Sequence, residues 1–172
     1  MKKVLCLIGV VIYTGIFSQG KINIFNYTQY NLYNALVGSD AGNNCYPSVN
    51  GTNHPVPVPP GVAVTYDGYH LSGNKTPPID QWTVYFAGGG VSTQSHLAPL
   101  LISLGLSTTW QMNKFTVDDV NGNSVPYSGN SIGTIACGTP VVDYVGPTPG
   151  YPIPYEAFWF TAGGETYFVI QP

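Results

Sequence analysis

The sequence predicts an all-β protein, specifically an antiparallel β-sandwich of about seven to nine strands with one short helix. Short segments rich in β-branched and aromatic residues recur along the chain, and Gly, Pro, Asn or Asp separate them roughly every ten residues. Hydrophobic residues make up 44% of the chain and aromatic residues 13%, which is enough to fill a core. Charged residues make up only 8%, so amides, hydroxyls and backbone must solvate the surface.

The predicted strands are the segments in which apolar and polar residues alternate or in which aromatic and β-branched residues cluster. Asn121-Gly122 and Gly163-Gly164 separate pairs of such segments. Both dipeptides readily adopt the positive φ angles of a type I′ hairpin turn, so each is predicted to join two antiparallel strands. The predicted strands cover residues 21–27, 32–37, 62–69, 81–87, 110–120, 124–127, 131–137, 157–161 and 166–170.

One segment has a helical period instead. Between residues 95 and 104, leucines at positions 97, 100, 101 and 104 follow the spacing of one face of a helix, and Gly105 ends the pattern. Pro99 restricts where this helix can begin, because proline lacks the N–H donor and crowds the preceding residue. We expect a short helix that crosses one end of the sandwich.

The N-terminal segment has the layout of a secretory signal peptide. Lys2 and Lys3 precede an uncharged apolar run over residues 4–17, and Ser18-Gln19-Gly20 offers small residues at a cleavage site. The run is shorter than the roughly 20 residues that a transmembrane helix needs. We therefore expect residues 1–20 to be removed near Gly20 and residues 21–172 to form a single β-sandwich domain. Its expected location is secreted, periplasmic or on the cell surface.

The charge of residues 21–172 argues against two classes of partner. This part of the chain holds three lysines, no arginine and eight acidic residues, for a formal charge of −5. Without arginine it cannot make bidentate contacts to phosphate or guanine, and three lysines release few counterions. We therefore expect no nucleic-acid binding, no attraction to anionic lipid and no transmembrane segment in the mature chain.

The cysteines predict a disulfide. Cys6 lies in the predicted signal peptide, which leaves Cys45 and Cys137 as an even pair in an oxidising compartment. Closing a loop of about 90 residues is worth on the order of 4 to 5 kcal/mol in the chain-entropy model. A metal site is the weaker alternative, because these two cysteines have no nearby partners at ligand spacing.

No catalytic motif is present. The chain lacks a Gly-x-Ser-x-Gly elbow, and nothing in its spacing pairs its histidines or carboxylates, so we predict neither catalytic residues nor a cofactor and expect that the protein is not an enzyme. The run Asp119-Val-Asn121-Gly-Asn123 faintly resembles the opening of a calcium-binding loop, and Asp118, Asp119 and Asn121 would be the residues of a weak surface calcium site. That loop needs a glycine at position 6 and a glutamate at position 12, both absent here, and a hairpin turn explains the residues more simply.

The aromatic residues offer the best candidate for ligand binding. Tyrosine combines a flat apolar face with a hydroxyl, which suits sugar rings and protein hot spots. Tyrosines near predicted turns, and a histidine near a strand end, form the candidate set. The alternative is that these tyrosines occupy half-buried sheet positions, as they do in many β-proteins. The candidates are Tyr66, Tyr69, His70, Tyr151 and Tyr155.

The pieces IFNYTQYNLYNAL, VPPGVAVTY, DVNGNSV and WFTAGGETYFVIQ resemble those of small secreted β-sandwich proteins of Bacteroidota-type bacteria. The N-terminal segment, which ends in Phe-Ser-Gln, is similar to the export signals of that group. The resemblance extends over most of the mature chain, in the type of its strand and turn segments. It implies a β-sandwich fold and a location outside the cytoplasm. Its motifs are those of strands and turns, so it carries over no functional residue.

The sequence therefore predicts a secreted or cell-surface binding module whose ligand is an extracellular glycan or protein. Two other interpretations remain open. The aromatic content and the scarcity of charge fit a membrane-active or toxin-like β-protein, and a small secreted hydrolase ranks third.

Overall fold

Two β-sheets pack face to face in the computed structural model, which describes residues 20–125, 128–134, 137, 141–147 and 155–172. One sheet has five strands in the order β4-β1-β11-β10-β9, and the other has six in the order β6-β5-β3-β2-β7-β8. The predicted β-sandwich is confirmed. The strands are β1 Ile22–Asn26, β2 Asn31–Ser39, β3 Ser48–Thr52, β4 Ala63–Tyr66, β5 Gln81–Tyr85, β6 Val91–Ser95, β7 Thr109–Asp118, β8 Asn130–Gly133, β9 Tyr144–Val145, β10 Glu156–Ala162 and β11 Glu165–Gln171.

Eight of the nine predicted strands correspond to these elements, whereas β3, β6 and β9 were not predicted. Of the ninth, predicted at residues 124–127, the structure describes only Ser124 and Val125, and Ser124 forms an isolated bridge with Asp118. The described part of the chain therefore holds more strands than the seven to nine expected. The helix α1 spans Pro99–Gly105 and begins at the proline, because a proline at the first helical position loses no hydrogen bond. Short 3-10 helices lie at Ala41–Asn43 and Tyr69–Asn74. The predicted signal peptide lies outside the described residues, apart from Gly20.

The five-stranded sheet departs from the expected antiparallel arrangement at one pair. Strand β1 runs parallel to β11, with Ile24 opposite Phe168, and antiparallel to β4. Parallel neighbours need a long connection, and here almost the whole chain separates the two strands.

Large apolar side chains fill the space between the sheets. Trp82 lies fully buried under Gly51, and its ring centroid lies 4.7 Å from that of Tyr69. Trp110 contacts the same tyrosine at 5.2 Å. Further along the sandwich, Phe115 of the six-stranded sheet packs against Phe168 of the five-stranded sheet at 5.0 Å. The core thus uses one face of each sheet and leaves both outer faces to solvent.

The two predicted hairpin turns have different outcomes. Gly163 and Gly164 both have positive φ, 60° and 80°, between the paired residues Ala162 and Glu165, as predicted for a two-residue turn. At Asn121-Gly122 only Gly122 has positive φ, so the predicted type I′ turn is wrong. The reason is Asp119, whose carboxylate accepts hydrogen bonds from the Asn121 and Asn123 backbone N–H groups and stabilises a longer turn.

Candidate functional site

The outer face of the six-stranded sheet carries a groove that follows strands β2 and β7. Alternate residues of β2, among them Tyr33 and Val37, point to this face, since Leu32 and Leu36 are buried in the core. Lys114 of β7 pairs with Ala35 and projects on the same face. Two cavities open along these strands and share Lys114 in their walls, so we call them together the Lys114 groove.

The first cavity, of about 340 Å³, lies beside the disulfide. Two tyrosines in its wall, Tyr46 and Tyr85, are 39% and 38% exposed, so part of each ring is open to a ligand. The remaining wall combines hydroxyl, amide and apolar side chains. Its lining includes Val37, Asn44, Ser48, Asn50, Gln111 and Met112.

The second cavity, of about 460 Å³, continues on the other side of Lys114. Tyr33 and His54 form one part of its wall, with ring centroids 5.4 Å apart. Thr52, Thr116 and Ser131 add hydroxyls. The Lys114 groove therefore presents aromatic faces and hydrogen-bonding groups along its length.

The disulfide fixes the wall of the first cavity. Cys45 and Cys137 are 92 residues apart in the chain and are joined with an S–S distance of 2.02 Å, which confirms the predicted pairing. Asn44 and Cys45 both have left-handed backbone, with φ of 50° and 64°. Non-glycine residues adopt this conformation only at a cost, so the surrounding structure must hold it. The bridge thereby holds the loop that presents Tyr46 against the sheet.

The charge of the Lys114 groove differs from that of the chain as a whole. Within the described ranges, Lys21 and Lys75 both form ion pairs with Asp67, whereas Lys114 forms none. No Asp or Glu of the described residues lines either cavity. None occurs at the undescribed positions between 126 and 154 either. A protein with eight acidic residues thus leaves a lysine unpaired in a groove without carboxylates.

A buried amide also borders the first cavity. Gln111 is only 6% exposed, and its Nε2 donates a 2.6 Å hydrogen bond to Thr109 Oγ1. Its Oε1 forms no hydrogen bond within the part of the chain that the structure describes. A buried acceptor normally receives a hydrogen bond. A hydroxyl group of a molecule bound in the adjacent cavity, or a water there, could donate it to Gln111 Oε1.

The outer face of the five-stranded sheet carries a second feature, a row of aromatic rings. The ring of Phe25 stacks on that of Tyr27 with a centroid distance of 5.8 Å and on that of Tyr167 with a centroid distance of 6.5 Å. The ring of Tyr167 stacks on that of Phe160 with a centroid distance of 5.0 Å. We call these four residues the aromatic row. A separate pair, Tyr144 and Phe158, lies at 5.1 Å on the same face.

The geometry of the aromatic row limits what it can bind. Two rings whose centroids are 5.0 Å apart and whose planes differ by 5° cannot lie side by side in one plane, because their edges would overlap. Phe160 and Tyr167 therefore face each other, and each covers a ring face of the other. A sugar stacks on an exposed ring face, so the faces that Phe160 and Tyr167 turn toward each other are closed to it, whereas their edges remain accessible.

Two of the tyrosines predicted to bind ligand belong to the core. Tyr66 is fully buried, and its hydroxyl donates a 2.8 Å hydrogen bond to the Pro77 carbonyl. Burial raises the pKa of Tyr66 above that of an exposed tyrosine. Tyr69 is also fully buried, with its hydroxyl 2.9 Å from Thr108 Oγ1. Neither ring lies on the surface.

The other three candidates do not join them in one site. His70 is half-buried in the 3-10 helix at Tyr69–Asn74. Tyr155 directly precedes β10, which two strands, β1 and β11, separate from β4 and Tyr66. Its hydroxyl donates a 3.0 Å hydrogen bond to the Ser128 carbonyl. Tyr151 lies outside the described residues.

The weak calcium candidate consists of residues in and beside a turn. Asp119 accepts hydrogen bonds from Asn121 and Asn123, and these bonds lower the pKa of its carboxyl. Asp118 ends β7, at the edge of the same turn. Across the described ranges, no group of three or more His, Cys, Asp or Glu residues is placed to hold a metal ion. No helix in that part of the chain is both long and apolar enough to cross a bilayer.

Sequence reasoning missed the Lys114 groove. One signal was available, a lysine in the middle of the predicted strand 110–120, where alternation places it opposite the core face. The lining of the groove could not be read in the same way, because Tyr46, Tyr85 and Lys114 come from three separate segments. No family model, no curated protein and no solved structure matches this chain.

Proposed function

We propose that this chain is a secreted or cell-surface carbohydrate-binding module whose ligand occupies the Lys114 groove. The observation that carries the proposal is the pair of cavities that share Lys114, of about 340 and 460 Å³. Small-molecule sites usually lie between roughly 300 and 1,000 Å³. Their arrangement along two neighbouring strands suits an elongated ligand such as an oligosaccharide.

The lining has the chemistry that sugars require. A sugar ring presents hydroxyls around its rim and C–H groups on its faces. The hydroxyls and amides of Ser48, Asn50 and Thr52 can donate and accept hydrogen bonds. The part-exposed rings of Tyr46 and Tyr85 supply apolar faces together with a polar hydroxyl.

Glycan-array binding of the purified protein tests this proposal. We expect binding to at least one class of glycan, and Tyr46→Ala and Tyr85→Ala should each weaken it about fivefold to thirtyfold, since truncating an aromatic contact at a binding site costs about 1 to 2 kcal/mol. Tyr27→Ala is the matched control, because Tyr27 is 56% exposed on the opposite sheet. An array without any binding, or equal losses in all three variants, would refute the proposal.

A second candidate function, association with lipid membranes, is favoured by the aromatic row. Phe160 and Tyr27 are 45% and 56% exposed, and aromatic edges of this kind enter the interfacial region of a bilayer. Cosedimentation and dye release with neutral, cholesterol-containing liposomes test it. We expect Phe160→Ser to reduce any binding, and vesicles that remain intact and unbound would exclude this function.

A further inference from the structure

We infer that the Lys114 groove selects oligosaccharides that carry a carboxylate, such as uronic acids, with the carboxylate on the Lys114 ammonium group. This inference rests on the proposed carbohydrate-binding function and adds the class of sugar. It has three supports: the unpaired state of Lys114, the absence of competing carboxylates in the lining, and the place of Lys114 between the two cavities.

The first support is the contrast among the lysines. Lys21 lies 3.9 Å from Asp67 and 3.6 Å from Glu165, and Lys75 contacts Asp67 directly. These two ammonium groups are already neutralised by the protein. Lys114 forms no such pair within the described residues, so its charge remains available to a ligand.

The second support is the absence of carboxylates from the described lining. Asp118 projects from the same face of β7, four residues beyond Lys114 and outside both cavities. At about 3.3 Å per residue this is roughly 13 Å along the strand, more than a Debye length at physiological salt. Asp80 lines a separate cavity beyond His54, where its carboxylate lies 3.7 Å from the His96 ring. Neither acid neutralises Lys114.

The third support is position. Lys114 belongs to both cavities, so a sugar in either one can bring a carboxylate to it while its hydroxyls meet the amides and hydroxyls of the wall. A hydrogen bond between an ammonium group and a carboxylate is stronger than one between neutral groups. A net charge of −5 on residues 21–172 repels anions in general, which makes a local cation the determinant of whether an acidic sugar binds.

The test compares each acidic sugar with its methyl ester, which keeps the ring and hydroxyls and removes the charge. The probes are oligogalacturonate and sialyllactose, measured by isothermal titration calorimetry in about 50 mM salt. We expect at least one acid to bind about two- to fivefold more tightly than its ester, the range for an exposed ion pair. Raising the salt to about 500 mM should reduce the difference.

Variants assign the difference to one residue. Lys114→Met should bring the affinity for the acid down to that for the ester, and Lys114→Arg should retain the preference. Lys21→Met removes the same unit of charge from the other sheet and should leave the preference intact. Equal loss in Lys114→Met and Lys21→Met would show a general charge effect and overturn the inference.

The two proposals fail in different ways. Binding of neutral glycans only, or of acid and ester equally, overturns the inference and leaves carbohydrate binding in place. Tighter binding of poly-glutamate than of either acidic sugar overturns the inference in favour of an acidic peptide. A glycan array without any binding overturns both.

Discussion

The indole N–H of Trp82 donates a 3.0 Å hydrogen bond to the hydroxyl of Ser72, and both side chains are fully buried. The Ser72 hydroxyl also lies 2.6 Å from the carbonyl oxygens of Tyr69 and Ile79, so its proton goes to one of them. One small side chain thereby satisfies the buried indole N–H of Trp82 and ties the 3-10 helix at Tyr69–Asn74 to the segment that leads into β5.

Replacing Ser72 by Ala should lower the free energy of unfolding by about 1 to 3 kcal/mol, because the Trp82 N–H is left buried without an acceptor. Urea denaturation followed by tryptophan fluorescence measures this loss. Ser103→Ala is the control, since Ser103 is exposed on α1 and the change should stay within about 0.5 kcal/mol. If both variants lose equally little, the Trp82–Ser72 hydrogen bond does not stabilise the core.

Removing the disulfide should destabilise the protein more than any single core contact. In the chain-entropy model, a bridge between residues 92 apart contributes about 4 to 5 kcal/mol by restricting the unfolded chain. We expect Cys45→Ser/Cys137→Ser to show this loss in urea denaturation, and the wild-type protein under reducing conditions to match it. A variant as stable as the oxidised protein would contradict the entropic account.

The fold was largely predictable because its strands carry alternating patterns, as in β11, where Thr166, Phe168 and Ile170 face the core. Strand β3 was missed for a physical reason. It contains Asn50 and Gly51, residues that strands disfavour. A Cβ at Gly51 would lie 2.5 Å from the Trp82 ring, so a tertiary contact requires the glycine. Local propensity cannot reveal such a requirement.

The candidate site was less predictable, because alternation identifies the two faces of a strand and not the loops that meet above one of them. The sequence predicted the Cys45–Cys137 bridge but not that it borders a cavity with Tyr46 and Lys114. Tyr66 and Tyr69 were selected because they lie near predicted turns. There the chain turns inward and both rings complete the core.

The stability of the protein should fall in alkaline solution partly because of Tyr66. Burial raises the pKa of its hydroxyl, so the folded state favours the neutral form. The contribution of Tyr66 to stability is therefore complete below about pH 10, the pKa of a tyrosine in the unfolded chain. The contribution is then lost as the pH rises toward the folded-state pKa.

Tyr66→Phe isolates this effect. At pH 8 the variant should be about 1 kcal/mol less stable, because the Pro77 carbonyl loses its donor. Above pH 10 the difference in the free energy of unfolding between the variant and the wild type should narrow, because only the wild type has the Tyr66 hydroxyl that can ionise. Urea denaturation at pH 8 and at pH 10.5 measures both values, and a gap that stays constant would contradict the argument.

Glu165 should contribute to the loss of stability in acid. The hydrogen bond from Asn23, at 2.8 Å, is the main cause that lowers the pKa of this carboxyl, and the nearby Lys21 charge adds to it. A carboxyl whose pKa is lower in the folded state stabilises the protein at pH values above its unfolded-state pKa, which is about 4.3 for glutamate. This stabilisation disappears as the pH falls through the folded-state pKa.

Glu165→Gln keeps an acceptor for Asn23 and removes the titration. We therefore expect the fall in Tm between pH 7 and pH 3 to be smaller in this variant than in the wild type. Glu156→Gln, on β10, provides the control for removing one carboxyl. An identical acid profile for Glu165→Gln and the wild type would show that the Asn23 hydrogen bond does not couple to folding.

The stacking within the aromatic row should be measurable as a coupling energy. Phe160 and Tyr167 are directly paired on β10 and β11, and their rings lie parallel at 5.0 Å. Such pairs are worth about 0.5 to 1.5 kcal/mol beyond the area they bury, so a double-mutant cycle of Phe160→Ala and Tyr167→Ala should give a coupling in this range. Tyr27 stacks on Phe25 at the other end of the row, so Phe160→Ala with Tyr27→Ala should be additive within about 0.5 kcal/mol. Additivity in both cycles would mean that the contact between the Phe160 and Tyr167 rings does not stabilise the sheet.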